Sequence, residues 1–292
     1  MRNARTIAAA ALVIAGVAAG TAADRLPETR PLSRGGYLVL QADLHVHSFL
    51  GDGTLWPWDL ALEARRHGLD AIAITNHNQI LAARLGRWLA PRLGGALVVA
   101  GEEITAPRYH LIAVGIDRTI GWREGPARAI EEVHARGGAA IAAHPTRFFW
   151  PGWDDAALRS LDGAEVCHPL TYYQGPEHLR VFFSRFKSEN PGGAAIGSSD
   201  WHVFGSLGLC RTFVFAHEAS ERGLVEAVRS GRTVAYDVKG VPHGDAALVA
   251  LLGTPPAPPI EPPAQAFLAL AGRICALAGM AGLCLFRSSR RS

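Results

Sequence analysis

The segment DLHVHSFLGDG occupies residues 43–53, directly after the apolar run YLVLQA (37–42). In an extended strand, residues i and i+2 point to the same face. His45 and His47 therefore present two imidazoles side by side at the end of a strand, and Asp52 follows in a glycine-flanked turn. Two rings and a carboxylate arranged this way form a chelating group. The remainder of the chain determines how many partners that group has.

Working outward, short β-branched or Ala-rich runs alternate with amphipathic stretches between Gly36 and Gly240. Helices are expected at 57–67, where Pro57 takes a first-turn position, and near 79–90, 124–136, 175–187 and 219–230. Strands are expected at 71–75, 96–101, 110–116, 139–144, 163–167, 194–200 and 212–216. This alternation predicts a parallel sheet, open or closed. Polar residues cluster immediately after the strands: His45 and His47, then His77, Glu103, His144, Asp200 and His202. A (β/α) barrel gathers such strand ends on one face, so a barrel is the favoured form. His110 is the exception, because it opens its strand.

Six of the twelve histidines fall in these motifs, joined by Asp52, Glu103 in GEEIT and Asp200 in GSSDWH. Imidazole mixed with carboxylate suits Zn²⁺, Mn²⁺ or Fe²⁺. A single catalytic zinc takes three protein ligands. Nine candidates (His45, His47, Asp52, His77, Glu103, His110, His144, Asp200 and His202) are too many for one ion and fit two or three divalent ions.

DLHVHSFLGDGT, AITNHN, GEEIT with YHLIAVGID, AAHPTR and GSSDWH stand in the order found in the PHP (polymerase and histidinol phosphatase) superfamily, which residues 41–236 resemble. The resemblance implies an α/β fold, a distorted (β/α)7 barrel of the PHP type, with a trinuclear metal centre at its C-terminal face. It implies one ion on His45, His47, Glu103 and Asp200, and a second on Glu103, His110 and His144. A third falls to Asp52, His77 and His202. HxH also opens the metal-dependent amidohydrolases, but no lysine stands between Trp122 and Lys187 to supply their carbamylated ligand. The chain departs from the family's usual pattern at Asn76, commonly aspartate, and at Gly51, commonly serine. The helical insertion of many family phosphatases is missing, since thirty-three residues separate His110 from His144.

Among the remaining polar residues, Glu102 reads as a solvated neighbour of Glu103. His168–Pro169 mimics His144–Pro145 and reads as a decoy. His67, His134, His178, His217 and His243 read as surface residues. Arg147 follows HPT, and its forked guanidinium suits a substrate phosphate, with a salt bridge as the alternative. Trp150, Trp153 and Trp201 read as pocket walls or as packing.

The formal charge of +3, with scattered basic residues, gives no sign of nucleic-acid binding. The uncharged run 6–23 follows Arg2 and Arg5 and reads as a signal peptide (1–23) or an uncleaved anchor. Residues 36–240 form the catalytic domain and 241–263 a linker whose prolines concentrate in 254–263. Residues 264–286 read as a C-terminal transmembrane helix closed by Arg287, Arg290 and Arg291. Arg273 in its middle costs roughly 2.5–3.5 kcal/mol on insertion scales. Arginines flanking both apolar segments predict cytoplasmic ends and an extracytoplasmic domain, periplasmic or at the cell surface. A disulfide between Cys167 and Cys210 is allowed in such a compartment.

The expected activity is hydrolysis of a phosphomonoester or phosphodiester in a small phosphorylated substrate, with hydroxide generated on the metals and with Asp52, His77 and Arg147 as catalytic residues. The alternatives are a membrane-tethered metal-binding protein without turnover, or a hydrolase of another bond.

Overall fold

The computed structural model describes residues 2–23, 26, 31–203, 205–257 and 263–288. It divides into two compact units, Glu28–Pro258 and the pair of terminal segments. The terminal unit consists of α1 (Arg2–Ala23) and the last helix, α10 (Pro263–Ser288). Their backbones touch through glycine. A Cβ on Gly16 would lie 2.4 Å from the Ala276 nitrogen, and one on Gly279 would lie 2.6 Å from the Ala9 oxygen. Close approach through small residues is how apolar helices associate where a hydrophobic gradient is lacking. Residues 4–23 and 267–285 are long and apolar enough to cross a membrane, with mean hydropathies of 2.0 and 1.9.

The larger unit is a mixed, nearly closed α/β barrel. Its strands are β1 (Leu32–Arg34), β2 (Tyr37–Val46), β3 (Ala71–Ile74), β4 (Leu97–Thr105), β5 (His110–Val114) and β6 (Ala139–Ala142). After them come β7 (Gly163–Cys167), β8 (Ala194–Gly197), β9 (Thr212–Ala216), β10 (Thr233–Tyr236) and β11 (Pro242–Gly244). Ten of them follow the order β11-β10-β9-β2-β3-β4-β5-β6-β7-β8, and β1 pairs beside β2. The barrel draws together where the end strand β8 meets β9: the Thr212 hydroxyl accepts from the Gly197 nitrogen and donates to its oxygen, both at 2.9 Å.

Two strand reversals distort the expected seven-fold alternation. β4 turns into β5 as a hairpin with no helix between, and β5 runs antiparallel to β4 and β6. This explains the position of His110: in a reversed strand, the first residue lies at the end where its neighbours finish. β9, β10 and β11 form the second antiparallel run, against β2.

Strand alternation divides the core in two. Ile72 and Ile74 face outward beneath α2 (Pro57–Arg66) and α3 (Leu81–Leu93). The same outer layer continues under α4 (Pro126–Ala135), α5 (Asp155–Ser160) and α7 (Glu177–Glu189), which follows the short α6 (Leu170–Gln174). Ala71, Ala73, Val99, Ile112 and Ile141 face inward, together with apolar residues of α8 (Glu221–Arg229). Gly115 follows β5 at the end away from His110, and a Cβ on it would meet Val225 of α8 at 2.5 Å. The helix thus closes one mouth of the barrel and leaves the other to the polar residues.

The expected linker needs correcting. Residues 242–252 belong to the folded domain as β11 and α9 (Ala246–Leu252). The Asp245 carboxylate caps α9 by accepting from the Ala247 and Leu248 nitrogens, and Leu252 is buried beside Val39, Phe213 and Phe215. Of the proline-rich piece, residues 258–262 lie outside the described residues, as do Arg290 and Arg291.

Candidate metal centre

All nine expected residues meet at the mouth opposite α8. The β2 end supplies His45 and His47, and a register shift sits between Asp43 and Val46 where β2 meets β3. His77 forms an isolated parallel bridge with Glu103 of β4. Asp52 stands in a loop folded back on the strand: the Gly53 nitrogen donates to the Ser48 oxygen at 3.0 Å. A Cβ on Gly53 would lie 2.2 Å from the His47 oxygen, so the loop closes only over glycine. His144 and Asp200 have φ of 24° and 46°, in the left-handed region that non-glycine residues rarely adopt. Such strain concentrates at functional sites.

Three groups of side chains result. In the first, Nε2 of His45 and His47 lie 3.1 Å apart, and each is 3.2 Å from Asp200 Oδ1 and 3.4 Å from Glu103 Oε2. In the second, Glu103 Oε1 is 2.6 Å from His110 Nδ1 and 3.1 Å from His144 Nε2. In the third, Asp52 Oδ2 is 3.1 Å from Nε2 of both His77 and His202, while Oδ1 is 3.1 Å from His47 Nδ1. Asp200 Oδ1 and Glu103 Oε2 are buried acceptors that receive no hydrogen bond. A buried acceptor left unsatisfied is costly. Metal–ligand bonds of about 2.0–2.1 Å give tetrahedral edges of roughly 3.3 Å, the spacing of the first group. The donor set suits divalent metals.

The field at this mouth is negative. Burial opposes ionisation of Glu103, but the charge of His45 and hydrogen bonds from His110 and His144 outweigh it and hold the carboxyl well below its usual range. Asp200 is likewise depressed against burial, by His45, His168 and His47. Burial pulls His45 down, yet Asp200, Glu103 and Glu165 raise it well above 6.5. Without cations the carboxylates retain protons on their histidines; a metal would replace that positive charge.

Three supporting residues lie outside the expected nine. Glu165 of β7 is fully buried; its Oε1 lies 3.0 Å from His45 Nδ1, and its Oε2 accepts from the His144 nitrogen at 2.5 Å. With Glu165 accepting from Nδ1–H, a neutral His45 ring would keep its proton there and turn Nε2 to a metal. Its signal was a lone carboxylate in the apolar strand GAEVC. His168, expected to be a decoy, is buried with Nε2 3.3 Å from Asp200 Oδ2. Asp43 accepts from the Ser199 and Gly208 nitrogens at 3.0 and 2.9 Å and from the Ser199 hydroxyl, clasping both ends of the loop that bears Asp200 and His202. Burial raises its carboxyl to about 6 against those hydrogen bonds.

Other expectations change. Arg147 lies outside the three groups, exposed, with its guanidinium 5.9 Å from the Trp150 ring centroid. Trp153 belongs to the core against Tyr109 and Phe182, and Trp201 is buried too. Trp150 donates to the Pro145 oxygen at 2.8 Å and so braces the His144–Pro145 turn. Glu102 is buried, faces away from Glu103 and accepts from the Ile120 nitrogen. Of the five histidines read as surface residues, only His217 is exposed; His243, for example, lies 3.3 Å from Asp237.

The two departures in sequence are one structural event. Asn76 Oδ1 accepts from the Ser48 nitrogen at 2.8 Å, and Nδ2 donates to the Ser48 hydroxyl at 3.0 Å. A Cβ on Gly51 would lie 2.6 Å from that same Nδ2. The amide fills the space a side chain at 51 would need.

Comparison with known proteins agrees. The family model described as PHP-associated (PHP_C) matches residues 189–233. An uncharacterized protein of Methanocaldococcus jannaschii, MJ1587, is 30% identical over 139 residues, which cover 44% of this chain and 81% of that one. A phosphoribosyl 1,2-cyclic phosphate 1,2-diphosphodiesterase of Eggerthella lenta is 32% identical over 81 residues, 26% of this chain and 30% of the enzyme. A crystal structure from Bacteroides vulgatus, a two-domain protein containing a predicted PHP-like metal-dependent phosphoesterase, superposes with a TM-score of 0.61 at 28% identity. The match covers 77% of this chain and 72% of that one.

Proposed function

The chain belongs to the PHP superfamily, and from that premise we propose a membrane-anchored metal-dependent phosphoesterase acting on a small phosphomonoester or phosphodiester. The observation that carries this reading is the Glu103 carboxylate, which offers one oxygen to each of two ligand groups while Oε2 and Asp200 Oδ1 go without hydrogen bonds. We assign His45, His47, Glu103 and Asp200 to one ion, Glu103, His110 and His144 to a second, and Asp52, His77 and His202 to a third. Divalent ions held there would activate water near neutral pH and neutralise ester oxygens.

The chain's own residues do the rest. Glu165 fixes the His45 ring, and Asp43 fixes the loop of Asp200 and His202. Asp52 and His77, the open side of the centre, face the departing group. Arg147 offers a planar, always-charged fork to phosphate oxygens. Both terminal helices span the bilayer with their arginine-rich flanks in the cytoplasm, so the catalytic domain faces the extracytoplasmic side.

The test uses the full chain in detergent, loaded with Mn²⁺ or Zn²⁺, on nitrophenyl monoesters and diesters with Asp200→Asn in parallel. Metal-dependent release, lost in the variant, is the expected result and shows which ester class to pursue. A folded, metal-loaded chain that releases nothing from either ester would overturn the phosphoesterase reading in favour of binding without turnover or another bond.

A further inference from the structure

Cys167 ends β7 and Cys210 stands two residues before β9; both are buried and free. Cys167 is in register with Gly197 of β8, and its oxygen accepts from the Ser198 nitrogen at 3.1 Å. The segment of Cys210 reaches the same glycine, since a Cβ on Gly197 would lie 2.7 Å from the Arg211 oxygen. Two distant parts of the chain therefore bring their cysteines to one point. The Cys167 side chain is near enough to Cys210 to raise its thiol pKa. Both also line a cavity of about 370 Å³ with Tyr172, Arg211 and Asp237.

We propose that Cys167 and Cys210 close a disulfide in the exported protein. Each thiol gives up a proton, and the pair gives up two electrons as an Sγ–Sγ bond forms. A disulfide donor of the thiol–disulfide oxidoreductase class accepts those electrons and leaves as its dithiol. The bond closes while the chain folds. Once the domain is complete, the neighbouring sulfur and burial hold the Cys210 thiol far above its ordinary range, and the attacking thiolate is scarce. The bond ties the end of β7, which leads into His168, to the segment between His202 and β9. The inference rests on the extracytoplasmic reading and not on ester hydrolysis.

The test needs no turnover. The full chain is produced in a bacterial host with an oxidising periplasm and quenched in acid. It is then alkylated in denaturant, reduced, alkylated with a second isotopic reagent and mapped by mass spectrometry. A second sample of purified chain is refolded in detergent with a glutathione redox buffer and mapped the same way. The expected result in both is the second label alone at Cys167 and Cys210, and the first label at Cys210 in Cys167→Ser. First label at both positions in the refolded sample overturns the proposal, as does pairing of either with Cys275 or Cys284. First label in the cellular sample alone overturns the export premise, and with it the bond in the cell.

Discussion

The mouth of the barrel has a buried half and an open half, built from the same residue types. His45, His47 and Glu103 are sealed, their side chains exposed by 1% or less, whereas Asp52, His77 and His202 are exposed by 46%, 37% and 30%. The buried half rests on strands and on a further layer of carboxylates, Glu165 and Asp43. The open half rests on loops: Asp52 joins His77 and His202, His77 Nδ1 lies 2.6 Å from the Thr105 hydroxyl, and His202 Nδ1 lies 2.8 Å from the Asp200 oxygen. In the buried half each charge is fixed by its surroundings and acts at low effective dielectric; in the open half water screens and exchanges. The first should dominate turnover, and the second should tune it.

The largest expected effect breaks the buried half. Asp200→Asn should lower turnover by about 10³-fold or more, corresponding to about 4 kcal/mol of lost charge stabilisation, with the circular-dichroism spectrum unchanged. Activity within tenfold of the parent would remove the distinction between the halves. Next is the support of His45. Glu165→Gln should weaken metal affinity or activity by about 10–100-fold, read by competition with a chelator. An unchanged affinity and rate would make Glu165 a mere packing residue. In the open half, Asp52→Asn should cost about tenfold in rate and leave the buried half's metal content, measured by elemental analysis, intact.

Stability against pH sharpens the same contrast. His45, His47 and His144 have raised pKa values in the folded metal-free chain. Groups of this kind contribute stability that is fully present below the unfolded value near 6.5 and is lost as pH rises through the folded value. The metal-free chain should therefore melt at lower temperature as pH climbs above about 6.5. The metal-loaded chain should hold or gain, because ligands must shed protons to bind. A Tm that moves the same way in both forms would separate the histidines from the metal. The smallest effect belongs to Asn76→Asp, about threefold or less in rate, since its amide grips Ser48 and not a ligand. Gly51→Ser should instead destabilise the loop by about 1–3 kcal/mol through overpacking, seen in thermal melting.

The meeting of His45 and His47 was legible in the sequence, because a period of two brings them together whatever the rest does. His110 was legible as chemistry and puzzling as geometry, since a strand's direction is set by its partners. The support from Glu165 was hidden, and His168 read as a decoy, for a different reason. A carboxylate inside an apolar strand reads as core, and only the tertiary register of β7 and β8 brings it beneath His45. The linker failed because seven residues are too few for a helical period, although Asp245 before AALVALL is a capping signal. The two-residue dependence of Gly51 on Asn76 joins positions twenty-five apart in sequence, and no local pattern carries it.

The reversal of β5 also sets an order of events in time. A hairpin places His110 seven residues from Glu103, so that half of the centre forms by a local encounter. The clasp from Asp43 to Ser199 spans 156 residues and must await nearly the whole barrel. A nascent chain thus holds a two-histidine strand end and an early carboxylate–imidazole pair long before Asp200 arrives to complete them. Ions captured by those early ligands would meet a half-built cradle, and the late arrival of β8 would decide which of them stay.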